Sequence, residues 1–197
     1  LVPYINASGE LKTKPTQHSV IELRSLGISP DVLICRSDQE LPKDEKNKIA
    51  LFCSVPNDSV ISMHDVETVY SVPLLLHSQM VDKTILKKLK ISTKKAQLND
   101  WRRVVKAKLL PEKEITVSFV GKYTELKDSY KSINEALEHA GIKNKARVNI
   151  YFVEAENLTP KNIRKTLKNS DAILVPGGFG ERGIEGMILA CKYARIN

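Results

Sequence analysis

Apolar residues in this chain fall into short blocks separated by helix-like stripes, and the alternation runs twice. In the first half Val2-Pro3-Tyr4-Ile5 reads as the end of a strand, 17–26 as a helix closed by Gly27, and Asp31-Val32-Leu33-Ile34-Cys35 as a buried strand. Pro42 opens a helix to about residue 52, Val60-Ile61-Ser62-Met63 predicts another strand, and Val66, Val69 and Tyr70 begin a helix that Pro73 interrupts or ends. The stretch 92–114 differs: it is lysine- and arginine-rich, holds the only Trp, and carries one amphipathic stripe of Trp101, Val104, Val105 and Leu109. The second run follows. Residues 115–120 predict a strand, and Asp128 or Ser129 caps a helix whose stripe is Tyr130, Ile133, Leu137 and Ala140 and which Gly141 ends. Residues 148–153 predict a strand, Pro160 precedes a helix, Ala172-Ile173-Leu174-Val175 is a third strand, and a glycine turn leads into a last helix from about Ile184.

Strands alternating with helices are the pattern of parallel α/β architecture. The fold expected is therefore α/β, with two Rossmann-like parallel domains joined by a helical linker. No repeat of 20 to 50 residues and no low-complexity tract interrupts it.

Composition narrows the picture slightly. The chain is 42% hydrophobic and 27% charged, as in soluble globular domains, and contains no apolar run near the ~18 residues that suggest a membrane span. A cytoplasmic protein is the default expectation. The net charge of +8 favours an anionic partner without choosing among nucleic acid, nucleotide phosphates and membrane headgroups. Nucleic acid is disfavoured, because the lysines are dispersed among acids over several helices and no nucleic-acid motif appears. Cys35, Cys53 and Cys191 form no CxxC pair, which argues against a disulfide framework or a zinc site, and His18, His64, His77 and His139 show no ligand spacing. No metal site is expected within the chain.

Two motifs carry chemistry. In Lys12-Thr13-Lys14-Pro15-Thr16-Gln17 an extended segment would turn Lys12 and Lys14 to one side, and Thr16 and Gln17 would stand at a helix start, where free N–H groups favour phosphate. A polyphosphate clamp and a solvated lysine pair before an ordinary Thr cap both satisfy that spacing. In Leu174-Val175-Pro176-Gly177-Gly178-Phe179-Gly180 an apolar strand enters a glycine turn. Such glycines can aim a backbone N–H into a cleft as an oxyanion hole requires, bind a phosphate, or simply make a tight turn needing φ > 0.

In its full context the first motif, Gly9-Glu10-Leu11-Lys12-Thr13-Lys14-Pro15-Thr16-Gln17-His18-Ser19-Val20, resembles the stretch that marks CTP synthases. Further similar segments follow in order: Pro30 to Ser37, Lys48-Ile49-Ala50-Leu51-Phe52-Cys53, Val60-Ile61-Ser62-Met63-His64-Asp65-Val66 and Pro73-Leu74-Leu75-Leu76. Val120-Gly121-Lys122-Tyr123, Ser129-Tyr130-Lys131-Ser132-Ile133 and the segment from Pro176 to Gly186 resemble the start of that family's class I glutaminase domain. The resemblance implies residues 1–91 as the C-terminal part of a synthetase domain, 92–114 as linker, and 115–197 as the N-terminal part of a glutamine amidotransferase domain, both domains being incomplete.

It further implies a reaction in which ATP with magnesium phosphorylates O4 of UTP and ammonia from glutamine displaces that phosphate. Lys12, Thr13, Lys14, Pro15, Thr16, Gln17 and Lys48 then correspond to UTP and CTP contacts. His64, Asp65 and Val66 correspond to the ATP-binding segment, with Arg36 nearby. Gly178 corresponds to a glutamine and oxyanion contact, and Phe179 and Arg182 to the region linked to activation by GTP. Lys122 is a weaker candidate, and a homotetramer is the family's assembly. The chain contains no G-x-x-x-x-G-K-[ST] loop, so the resemblance implies that the loop and the acidic magnesium ligands of the phosphoryl-transfer site belong upstream, and it contains no cysteine in a glycine-flanked elbow. Cys191 sits in a helical Leu189-Ala190-Cys191-Lys192 setting and is not read as the nucleophile. These departures predict a chain inactive and poorly stable alone, with the missing parts upstream and downstream; a non-catalytic nucleotide-sensing module is the alternative.

Overall fold

The structure is a computed structural model describing residues 1–124, 127–178 and 180–197. It is α/β, with parallel sheets in each of two compact units, Leu1–Val105 and Lys106–Asn197.

In the first unit β1 (Tyr4–Ile5) and β2 (Glu10–Leu11) form an antiparallel hairpin, turned at Gly9 with φ +64°. Helix α1 (Lys14–Ser25) leads to β3 (Leu33–Ser37), α2 (Lys43–Cys53) and β4 (Val60–His64), which pairs with β3 in parallel register, Cys35 beside Ser62. The Val2 N–H donates to the Arg36 carbonyl (2.8 Å) on the edge of β3 away from β4. The free edge of β4 is closed by a side chain. The Gln79 amide accepts from the Ser62 N–H (2.9 Å) and donates to the Ser62 carbonyl (2.7 Å), a substitute for a missing strand. Val2, Val20, Cys35, Ile49, Cys53 and Val60 form the core. Other apolar side chains face solvent, among them Leu51 and Phe52 on α2 and Ile34 on β3.

Several expected boundaries move. The first helix begins at Lys14 rather than residue 17, because Pro15 sits in its first turn, where a missing N–H costs nothing. Pro73 likewise opens α3 (Val72–Ser78) instead of ending a helix. The next helix, α4 (Val81–Leu89), was not anticipated by the sequence reading. Helix α5 (Asn99–Leu109) carries the stripe expected for the linker; Trp101 Nε1–H donates to the Tyr70 carbonyl (2.6 Å).

The second unit is a three-stranded parallel sheet in the order β6-β5-β7, from β5 (Lys113–Gly121), β6 (Ala146–Glu154) and β7 (Ala172–Leu174). Helix α6 (Lys131–Lys143) crosses from β5 to β6, α7 (Ile163–Leu167) from β6 to β7, and α8 (Ile184–Ile196) follows. Val120, Val153, Leu158, Ile163, Leu167 and Ala190 form the core on one face, while on the other Phe119 packs against Tyr130 and Phe152, ring centroids 4.5 and 5.3 Å apart. Helix α6 starts at Lys131 after a short 3-10 turn, Lys127–Tyr130, so Asp128 and Ser129 do not cap it. Gly141 lies inside the helix, two residues before its end. A Cβ there would stand 2.6 Å from the Ala146 carbonyl oxygen, so this glycine serves close approach to β6 and not termination.

Candidate functional site

The lysine motif of the first unit leaves the hairpin and enters α1. Lys12 N–H donates to the Pro3 carbonyl (2.9 Å), Thr13 is buried in a helical conformation (φ −84°, ψ −17°), and Lys14 already belongs to the helix. The segment is therefore not extended, and the expected side-by-side presentation of Lys12 and Lys14 does not follow from pleating. Lys12 instead pairs with Glu10. That hydrogen bond, followed by the charge of Lys12 and a smaller contribution from Lys48, holds the Glu10 carboxyl below its ordinary range. Lys48, exposed on α2, thus shares an electrostatic neighbourhood with Lys12 across some 36 residues of sequence. Thr16 is buried, with its hydroxyl donating to the Leu1 carbonyl (2.8 Å), and Gln17 Nε2 donates to Thr13 Oγ1 (3.1 Å). Thr13 and Thr16 hold the segment in place. Lys14 is exposed at the start of the helix, with no acidic partner among the described residues.

At the carboxyl end of the parallel pair, where open α/β sheets bind ligands, β4 delivers His64, Asp65 and Val66. The Asp65 N–H donates to the Ser37 carbonyl (3.1 Å) and its carboxylate takes Arg36 Nη2 at 2.8 Å, so the structure brings Arg36 to this segment. His64 Nδ1 is buried with no hydrogen-bond partner among the described residues. A buried polar atom left open at a strand end is what a site for a polar ligand such as a nucleotide would show. Among the described residues no group of three or more His, Cys, Asp or Glu is placed to hold a metal ion.

In the second unit, the carboxyl ends of β5 and β6 and the turn after β7 converge. Lys122, just past β5, is 6% exposed and its Nζ donates to the Gly180 carbonyl (2.8 Å). Its side chain runs beside Gly178, where a Cβ would lie 3.8 Å from Lys122 Cε; a Cβ at Gly177 would meet nothing within 4 Å. The positive φ angles of this region fall at Gly180 (+77°) and Gly183 (+70°), not at Gly177 or Gly178, so the reading of that pair as a turn needing φ > 0 is corrected. The fold as described imposes neither glycine.

Glu154 closes β6 by accepting from the Thr124 N–H (3.0 Å), the Thr124 hydroxyl (2.9 Å) and the Tyr123 N–H (3.3 Å). Burial pushes its carboxyl up, but the bonds from Thr124 and Tyr123 outweigh burial and the net shift is downward. They also steady Tyr123, a non-glycine residue at φ +55°. Arg182 reaches Glu156 through two bonds, Nε to Oε1 at 2.7 Å and Nη2 to Oε2 at 2.8 Å, and its guanidinium lies 4.6 Å from the Tyr123 ring centroid. The bond to Glu156, then that to Tyr123, raises its already high pKa, so it stays cationic. The ring beside Arg182 is therefore Tyr123, while Phe179 lies outside the described residues. Tyr123, Glu154 and Glu156 were not singled out from sequence; two carboxylates spaced by one residue at a strand's end were the available signal.

Residues 1–91 match the family described as CTP synthase N-terminus, and residues 125–197 match the family described as glutamine amidotransferase class-I. A solved structure, the glutaminase domain of Trypanosoma brucei CTPS with bound acivicin, is similar at 39% identity over 42% of this chain, with a TM-score of 0.39. The match covers 33% of that chain's length. No helix among the described residues is long and apolar enough to cross a membrane.

Proposed function

We propose that this chain is part of a CTP synthase, the enzyme that uses ATP to activate UTP and ammonia from glutamine to aminate it. One observation carries the reading: a match to the CTP synthase N-terminus and a match to class I glutamine amidotransferases stand in tandem on one chain. Together they support a CTP synthase-type function in pyrimidine biosynthesis with glutamine as a substrate.

In this reading residues 1–91 belong to the synthetase domain, 92–114 to the linker and 115–197 to the glutaminase domain. Lys12, Lys14 and Lys48 supply cations for the triphosphate of UTP, or of CTP as inhibitor, while Thr13, Pro15, Thr16 and Gln17 hold the segment from which they project. His64, Asp65 and Val66 meet ATP, and the open Nδ1 of His64 favours that placement. The Gly178 N–H stabilises the oxyanion formed during glutamine hydrolysis, with Lys122 holding the turn through the Gly180 carbonyl. Arg182, stacked on Tyr123, and Phe179 belong to the region that answers GTP. ATP would supply the phosphoryl group and magnesium its charge neutralisation; these 197 residues contain no G-x-x-x-x-G-K-[ST] loop and no glycine-flanked cysteine, so in this reading they are inactive by themselves, and the resemblance implies a cytoplasmic homotetramer as the active form.

The experiment is ammonia-dependent conversion of UTP to CTP by the complete gene product, comparing wild type with Lys12→Ala and Lys14→Ala. Formation of CTP, with each variant losing it chiefly through a raised KM for UTP, supports the reading; a complete protein that makes no CTP overturns it.

A further inference from the structure

We infer that the second unit carries a binding site for a small phosphate monoester, at the opposite end of its sheet from the glycine turn. The inference does not depend on the function proposed above. Parallel strands are normally apolar on both faces because helices cover both. β5 departs from this: Thr116, Ser118 and Val120 share one face, level with Asn149, Tyr151 and Val153 of β6. The Val120 level belongs to the core beneath α7 and α8, but the two preceding levels are polar. Beside them lies a cavity of about 620 Å³, lined by Thr116 and Tyr151 on the sheet and by Lys165, Thr166, Asn169 and Ser170 on and after α7. Thr116 is six residues before Lys122, roughly 20 Å along the strand.

The walls are fixed, with Asn162, Thr166, Ser118 and Ser170 engaged among themselves and with neighbouring backbone, and part of the inner surface is not spent. Ser118 Oγ and Ser170 Oγ share a hydrogen bond of 2.6 Å, and the Asp171 N–H donates to the Thr116 carbonyl (2.9 Å) while the Thr116 N–H donates to Asp171 Oδ2 (2.7 Å). In contrast, the Lys165 ammonium, the Asn169 amide and the hydroxyls of Thr116 and Tyr151 have no hydrogen-bond partner among the described residues. Tyr151 is 53% exposed and offers a flat wall.

Charge selects the ligand. Residues 162–168 carry helical dihedrals from end to end. Ile163 and Leu167 are buried, and Asn162, Lys165, Thr166 and Asn169 line the cavity; Lys161, Arg164 and Lys168 stand exposed on the same segment. None of these four cations has an acidic partner among the described residues. Of the carboxylates nearby, Glu114 pairs with Arg147 and is bonded by Asn149, while Asp171 accepts the Thr116 N–H. A lysine in the cavity wall on a cation-rich segment, hydroxyls and amides within, and one aromatic wall suit a phosphate attached to a sugar or nucleoside, with the phosphate on Lys165 and the ring against Tyr151.

The test is titration of the 197-residue chain with inorganic phosphate, ribose 5-phosphate and UMP, followed by NMR shifts of the Thr116, Tyr151 and Asn169 amides. A saturable shift at these positions is expected, strongest with whichever organic monoester the site prefers, and weakened about tenfold by Lys165→Gln, the loss of one charge-assisted bond. Lys143→Gln, on exposed α6, is expected to leave it unchanged, and Asn169→Leu to weaken it without altering the melt. Equal weakening by Lys143→Gln, shifts from inorganic phosphate alone, or binding only to an oligonucleotide with a steep salt slope would each overturn the site, as would no shift at all.

Discussion

Gly186 offers the sharpest test of how α8 is seated. A Cβ built there would stand 1.8 Å from the Ala155 carbonyl oxygen, 2.7 Å from its carbon and 3.3 Å from its Cα, all backbone atoms at the end of β6 that cannot rotate away. Ordinary contact requires about 3.5 Å, so Gly186→Ala must push α8 back by roughly 1.5 Å. Ala190, fully buried one turn later, would move with it and open the core around Val120 and Leu158. Overpacking of this kind costs about 3 kcal/mol, and the better helix propensity of Ala returns up to about 1 kcal/mol. The net loss is about 2 kcal/mol, or roughly 8–16 °C in Tm for a unit of this size. Urea and thermal melts followed at the Val120 and Val153 amides report this unit specifically. Gly177→Ala, where a Cβ meets nothing within 4 Å, is the control and should melt no lower than wild type. Since propensity alone would make Gly186→Ala more stable, a variant as stable as wild type or more so refutes the packing argument by its sign.

Two further outcomes follow from burial and charge. Cys35 and Cys53 are buried, and burial pushes both thiols up, Cys35 to about 11, while Cys191 is exposed on α8. A maleimide at neutral pH should therefore label Cys191 first and the other two only on unfolding; labelling of Cys35 in the native chain at a comparable rate would contradict the first unit's core. The Glu154 carboxyl is lowered on folding, so its contribution to stability is complete above the ordinary carboxylate range and is lost as pH falls through the lowered folded-state value. The gap in urea midpoint between wild type and Glu154→Gln should shrink on acidification from pH 7 toward the acid limb; a gap independent of pH would show that Glu154 acts by shape and not by charge.

Much of the fold was legible because it rests on periodicity. β4 and the last helix fall where apolar spacing and punctuation place them. Part of the error lies with Pro and Gly, whose effect depends on where in an element they fall; α4 and the absent Asp128 or Ser129 cap are separate misses. Pro15 and Pro73 begin helices because position within the first turn decides a proline's effect, and Gly141 sits within a helix because a neighbouring strand comes too close for a Cβ. Neither proximity nor helix phase is visible from one sequence. The site divides along the same line. Residues in compact motifs, such as Lys12 to Gln17, were visible as chemistry, but the stack of Arg182 on Tyr123 arises from tertiary approach.

The glycines of the second unit sharpen the functional argument. A glycine can be required by a positive φ, by a crowded neighbour, or by something other than the fold. Gly180 and Gly183 meet the first condition, and Gly121, Gly141 and Gly186 the second. Gly177 and Gly178 meet neither among the described residues, yet they stand consecutively at the carboxyl end of a parallel sheet, beside a buried lysine that grips the next turn of backbone. Two adjacent glycines add backbone entropy to the unfolded chain and so weaken the native state. In the function proposed above, bare backbone there would give access, letting a substrate or intermediate approach the N–H groups more closely than a side chain would allow. That is the arrangement an oxyanion donor needs, and it links this turn to the glutamine chemistry proposed for the chain.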